Sequence, residues 1–197
     1  PKERETQICM NDYKYVDLIL GKQCQTKMGR GGIRPLEFKT FSKERQNAIT
    51  NYCQAGGNFF VSGAYVASDL WDNRLVKANE EDKKFAMEVL KYKWRVGQAA
   101  RNGKVKSVAS PFPEITGSYT YYQDLNPESY VVESPDALEP AAQGAFTILR
   151  YSENNLSAGI AYKGNYKTCV LGFPFEAIRT VTERELLMKA ILTFFEH

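Results

Sequence analysis

The sequence predicts an α/β fold: a three-layer, doubly wound, mostly parallel sheet flanked by helices, with antiparallel strands at its edge. Three observations predict it. An apolar segment at 16–21, a loop, a helical segment after Ser42 and a second apolar segment at 58–63 read as strand, helix, strand, which is a right-handed parallel unit by default. Phe59-Phe60-Val61 is a continuous apolar run, as expected of a strand covered on both faces. From residue 118 onward the apolar period shifts to two and turn residues punctuate it, which adds antiparallel strands. The 197 residues suit one domain spanning 1–197.

Residues 1–14 are mostly polar. A doubly wound sheet ordinarily begins with a strand–helix–strand unit before the segment seen at 16–21. Either that unit lies upstream, or another chain supplies it, or the sheet is small; we favour the first, and each leaves an exposed strand edge. The chain opens on Pro1 rather than Met, so it reads as a processed or cut piece of a larger protein, and a missing signal segment says little.

The loop 22–39 holds Gly29, Gly31 and Gly32 among Lys22, Lys27, Arg30 and Arg34. Ser42 is placed to cap the following helix, and Ala48, Ile49, Tyr52 and Cys53 give it a buried face. Gly56-Gly57 closes it, and Ser62-Gly63-Ala64 ends the next strand in a tight turn. Asn79 followed by Glu80, Glu81 and Asp82 starts a second helix that runs to about Trp94. Strands are expected at 104–110, 118–123, 129–133, 145–151, 157–162 and 167–173, the last two or three antiparallel through the turns 152–155 and 163–165. Thr182-Glu183-Arg184-Glu185 reads as the capping box of a final helix whose core stripe is Leu187, Ile191, Phe194 and Phe195.

Composition excludes more than it selects. A net charge of +3 is too small to argue for nucleic acid, and no apolar run approaches the about 20 residues that span a bilayer. Cys9, Cys24, Cys53 and Cys169 lack ligand spacing, so no metal and no cofactor is expected. Cys53 and Cys169 read as buried thiols; Cys9 and Cys24 are free to pair if the chain is exported.

In an open α/β sheet, ligands collect at the carboxyl ends of the strands. That places a site at Ser62, Gly63, Ala64 and Tyr65. Ser62 as a nucleophile lacks a base, since the sole histidine is the terminal His197; the alternative is a hydroxyl that satisfies the turn. Asp69, Glu176, Glu133 and Asp136 offer a carboxylate pair for acid–base chemistry, with helix capping and turn structure as the alternative roles. Lys91, Lys93, Arg95, Arg101, Lys104 and Lys106 form a run without acids, and Lys22, Lys27, Arg30 and Arg34 lie in the loop that should sit beside the elbow; a basic rim there suits an anionic polysaccharide or a phosphate, with a solvated charged face as the plainer alternative. Tyr119, Tyr121, Tyr122, Tyr130, Tyr151 and Tyr162 suit sugar stacking or simply strands.

Three phrases carry a family resemblance: 15–21 as a first strand, Gly57-Asn58-Phe59-Phe60-Val61-Ser62-Gly63-Ala64-Tyr65 as an elbow strand, and Val170-Leu171-Gly172-Phe173-Pro174-Phe175-Glu176 as a closing motif. Together they resemble the class I glutamine amidotransferase-like, flavodoxin-like fold. The phrases 61–69, 132–138 and 172–178 are similar to exported, multidomain bacterial proteins labelled xanthan lyase. The resemblance implies an elbow whose cysteine position is held by Ala64, or by Gly63, and a closing motif whose histidine position falls among Phe173, Pro174 and Phe175, with Glu176 retained. A thiol nucleophile needs a thiolate and a base, and neither is present. The expectation is therefore a non-catalytic accessory domain, a pseudoenzyme, of an exported carbohydrate-active protein. It would bind through Ser62, Gly63, Ala64, Arg30, Arg34 and Phe173, with other domains of the parent chain and an anionic polysaccharide as partners. One rival is a polysaccharide lyase or hydrolase using Tyr65, Asp69 and Glu176. The other is an assembly module that pairs through its exposed strand edge.

Overall fold

A computed structural model describes residues 9–27, 36–37, 39–71 and 79–197. The first parallel unit forms as the apolar pattern requires. Strand β1 (Tyr15–Gly21) leads through a short antiparallel pair, β2 (Thr26–Lys27) and β3 (Leu36–Glu37), to helix α1 (Lys43–Gln54) and then to β4 (Asn58–Gly63). The Ser42 hydroxyl accepts from the Arg45 amide, which caps α1. β1 and β4 pair in parallel.

Beyond β4 the chain departs from the predicted architecture. After α2 (Ser68–Trp71) and α3 (Glu80–Phe85), a π-helical turn at Ala86–Leu90 ends the helix four residues before Trp94. Lys91 stops it by taking a left-handed φ of 66°. Trp94 instead lies in β5 (Tyr92–Val96), which pairs with β8 (Ala137–Pro140) in a separate two-stranded sheet. Strands β6 (Lys104–Ser107) and β7 (Ser118–Thr120) follow; the segment 129–133 forms no strand. The chain closes with β9 (Ala145–Tyr151), β10 (Ser157–Lys163), β11 (Lys167–Leu171) and α4 (Val181–Glu196). The capping box of α4 is Thr180 with Glu183, two residues earlier than the sequence spacing suggested.

The main sheet has the order β1-β4-β11-β10-β9-β6-β7. Only β1–β4 and β4–β11 are parallel; the other four pairings are antiparallel. The molecule is thus a mixed sheet with few helices, not a three-layer, doubly wound parallel α/β fold, and the flavodoxin-like description does not hold. The reason is in the connections. β9, β10 and β11 follow one another through turns of a few residues, and so short a link joins only antiparallel neighbours. Between β4 and β8, where a doubly wound fold would alternate helices with parallel strands, the residues after Lys91 go instead into β5 of the separate two-stranded sheet and into β6 and β7 at the far edge of the main one.

Both faces of the central strands are covered. On β4, Phe60 joins a cluster with Cys169, Leu171, Leu187, Ile191 and Phe194, so this face packs against α4. Phe59 and Val61 join a second cluster with Ile49, Tyr52, Cys53, Leu90 and Tyr92, so the opposite face packs against α1 and the helical turn before β5. This double burial is why Phe59-Phe60-Val61 shows no polar alternation.

Candidate functional site

The carboxyl ends of β1, β4 and β11 meet at one end of the sheet. Gly21 ends β1 with a left-handed φ of 57°, and its carbonyl accepts from the Ala64 amide at 2.9 Å. A Cβ on Gly63 would stand 2.9 Å from the Leu20 Cβ, so the close approach of β1 to the turn depends on glycine there.

The elbow residues are packed away. Ser62 is fully buried, and its hydroxyl accepts from the Phe175 amide at 3.2 Å, fixing the loop after β11. Ala64 is 1% exposed. Phe173 is buried and stacks on Tyr121 with ring centroids 5.0 Å apart. At the two places where the amidotransferase resemblance implies reacting atoms, the chain therefore puts a methyl group and a core aromatic ring.

Asp69 is committed to the loop after β1. One carboxylate oxygen accepts from the Gln25 amide at 2.8 Å; the other accepts from the Thr40 amide at 2.8 Å and the Thr40 hydroxyl at 2.5 Å. Glu176 accepts from the Tyr130 hydroxyl at 2.5 Å, while its Oε2 is buried without a partner. Burial and the bond to Glu176 push the Tyr130 hydroxyl far above its ordinary range. Asp17 reaches solvent, yet the atoms packed around its carboxyl, and then the charge of Glu176, push it up to about 6. Tyr65 is half-buried near Cys24, Ser134 and the Lys22–Glu133 ion pair (2.7 Å), and burial raises its hydroxyl. No hydrogen bond joins Tyr65, Asp69 and Glu176 to one another. The pairing that the structure makes is Glu176 with Tyr130, which the sequence offered only as one tyrosine among many.

Asp136 is the most deeply buried of the candidate carboxylates. Its Oδ2 accepts from the amides of Ala67 and Ser68, both at 2.8 Å, at the start of α2. Its Oδ1 has no partner, and neither do the nearby Ser68 hydroxyl and Trp94 indole N–H. Burial pushes Asp136 up to about 7 despite the two amides.

The chemistry open to this arrangement is narrow. Burial raises the thiols of Cys24, Cys53 and Cys169, which disfavours thiolate. Cys9 and Cys24 are free thiols. Arg30 and Arg34, expected to rim the site, lie outside the described residues. Lys22 is neutralised by Glu133, and Lys91 lies over the Tyr162 and Tyr166 rings at the opposite end of the sheet. Among the described residues no three His, Cys, Asp or Glu side chains converge, and no helix is long and apolar enough to cross a membrane.

No family model matches the chain, and no curated protein sequence matches it. Among solved structures it is similar to a cold-adapted β-galactosidase from Rahnella sp. R3, with a TM-score of 0.58 and 12% identity. That match covers 96% of this chain but 24% of the β-galactosidase, so the chain spans about a quarter of that protein's length. A looser likeness, with a TM-score of 0.44 and 15% identity, is to the mmIFT52 N-terminal domain; it covers 79% of this chain and 72% of that one. The likeness to the β-galactosidase is one of fold.

Proposed function

We propose that this domain is a non-catalytic accessory module of an exported, carbohydrate-active protein. One observation carries the reading: two polar groups at the strand ends, Ser62 and Asp69, are spent on holding loops. Ser62 serves the Phe175 amide, and Asp69 serves Gln25 and Thr40. A general acid or base needs a free carboxyl within reach of substrate, and a nucleophile needs an activating base. Asp69 and Ser62 meet neither requirement, and Glu176 faces a tyrosine that stays protonated. The occurrence of this fold as about a quarter of a larger β-galactosidase supports a part that serves a longer chain. The resemblance of 132–138 and 172–178 to exported proteins labelled xanthan lyase supports the carbohydrate context. The partners on this reading are neighbouring domains of the parent protein and an anionic polysaccharide.

The test is turnover by the purified chain. Ammonia release from glutamine, ester hydrolysis, and unsaturated uronide or new reducing ends from anionic glycans should all stay at background. Turnover that Glu176→Gln or Tyr130→Phe abolishes would overturn the proposal and restore the lyase or hydrolase reading.

A further inference from the structure

The basic run at 91–106 is partly answered within the fold. Lys91 lies over the Tyr162 and Tyr166 rings. Glu139 faces Lys93 across the β5–β8 pair and meets Arg95 at 3.5 Å. Lys104 and Lys106 are left over. They flank Val105 on β6, and Val105 is buried in the same cluster as Leu187 and Phe194 of α4. Side chains alternate along a strand, so both lysines point to the opposite face of the sheet, where they are exposed. The register sets Arg150 of β9 directly opposite Lys106. Like charges so placed destabilise a sheet. Among the described residues no ion pair engages Lys104, Lys106 or Arg150. Glu153 and Glu183, which border the face, are held elsewhere: Glu153 accepts from the Arg101 amide, and Glu183 from the Thr120 and Thr180 hydroxyls. A local rule broken without compensation is expected at functional places.

We propose that this face of β6 and β9 binds an anionic polysaccharide chain, with Lys104, Lys106 and Arg150 as its cations. The inference takes its ligand class from the accessory reading and rests on it. Residues two apart on a strand are about 7 Å apart, and neighbouring strands about 4.8 Å apart, so the three cations spread over an open triangle. An open strand face gives a small anion no enclosure. An extended chain with a carboxylate on each sugar meets all three cations at once. The Arg150 guanidinium donates to the Asn155 carbonyl at 2.7 Å, which fixes one corner beforehand. Exposed Ser118 stands opposite Lys106 on β7 and offers a hydroxyl to the sugars. The tyrosines of these strands, Tyr119 and Tyr151, turn into the core, which leaves the bases of a nucleic acid without rings to stack on.

Titration of end-labelled polygalacturonate fragments with the full chain, read by fluorescence anisotropy at low salt, tests it. Anisotropy should rise with protein and fall as salt screens the charges, and labelled dextran fragments, which are neutral, should not respond. Lys104→Glu/Lys106→Glu should raise the dissociation constant about tenfold or more. Lys43→Glu/Lys84→Glu makes the same change of net charge at exposed positions of α1 and α3, and should raise it less than about twofold. Near-ultraviolet circular dichroism checks that both variants remain folded. No binding to polygalacturonate overturns the proposal. So do equal losses in the two double variants, or equal binding of a labelled single-stranded oligonucleotide. The accessory reading fails separately, by turnover, whatever these variants do to binding.

Discussion

Replacing Asp136 by Asn should make the protein more stable at neutral pH and change it little in acid. The carboxyl is fully buried, and burial pushes it up to about 7. An aspartate in an unfolded chain titrates near about 3.9. The folded form therefore holds its proton longer than the unfolded form, and stability falls as pH rises between the two values. The contribution is fully present below about pH 4 and gone above about pH 7. A gap of about three pH units at roughly 1.4 kcal/mol each puts the loss at about 4 kcal/mol, an upper bound once water reaches the site. Asn keeps an oxygen for the Ala67 and Ser68 amides and carries no charge. Urea unfolding of both proteins at several pH values measures the difference, and Trp94, close to Asp136, gives the fluorescence signal. The wild type should lose ground to Asp136→Asn steadily from about pH 4 to about pH 7. A flat difference, or a wild type that gains with pH, would refute the reasoning. It would mean that the two amides, rather than burial, govern this carboxyl.

Other substitutions follow from the same packing. Thr180→Ala should cost about 1 kcal/mol by removing the cap of α4, whereas Thr182→Ala should cost little; denaturant midpoints separate them. Phe173→Ala should cost about 3 to 5 kcal/mol, since the ring is buried against Tyr121; a surface-like loss below about 1 kcal/mol would place Phe173 outside the core. Gly172→Ala should reduce folding sharply, because its Cβ would stand 2.0 Å from the Asp136 carbonyl oxygen, a backbone atom that cannot swing aside. Thermal unfolding and soluble yield report that change.

The parts of the fold that were legible in the sequence are those fixed by local chemistry. Ser42 announces α1, the apolar run 59–61 announces a central strand, and Asn154-Asn155 announces the turn between β9 and β10, where Asn155 takes a left-handed φ of 64°. The helix before β5 carries no such stop signal. No glycine or proline separates Leu90 from Tyr92, and Lys91 alone makes the left-handed turn, so the pattern reads on through Trp94. Strand direction was legible in the parallel β1–β4 unit and the antiparallel β9-β10-β11 run, but strand order was not, because nothing local to β11 says that its other edge pairs with β4. The capping box lies two residues before the expected register, where the contact between the Arg179 amide and the Thr120 carbonyl fixes the chain just ahead of Thr180. At the candidate site, Asp69 and Glu176 were visible as carboxylates near strand ends. Their partners, Gln25, Thr40 and Tyr130, come from distant loops, and only tertiary structure shows that the carboxylates are engaged.

The account stands or falls on whether Asp69 holds the structure together or serves a reaction. Chemical unfolding of Asp69→Asn measures this directly. An amide in place of the carboxylate must turn its NH2 toward one of the backbone N–H donors at Gln25 or Thr40, so the account predicts a loss of about 2 to 4 kcal/mol. An unchanged or raised stability would contradict it, because a carboxylate kept for chemistry relieves the fold when it is removed.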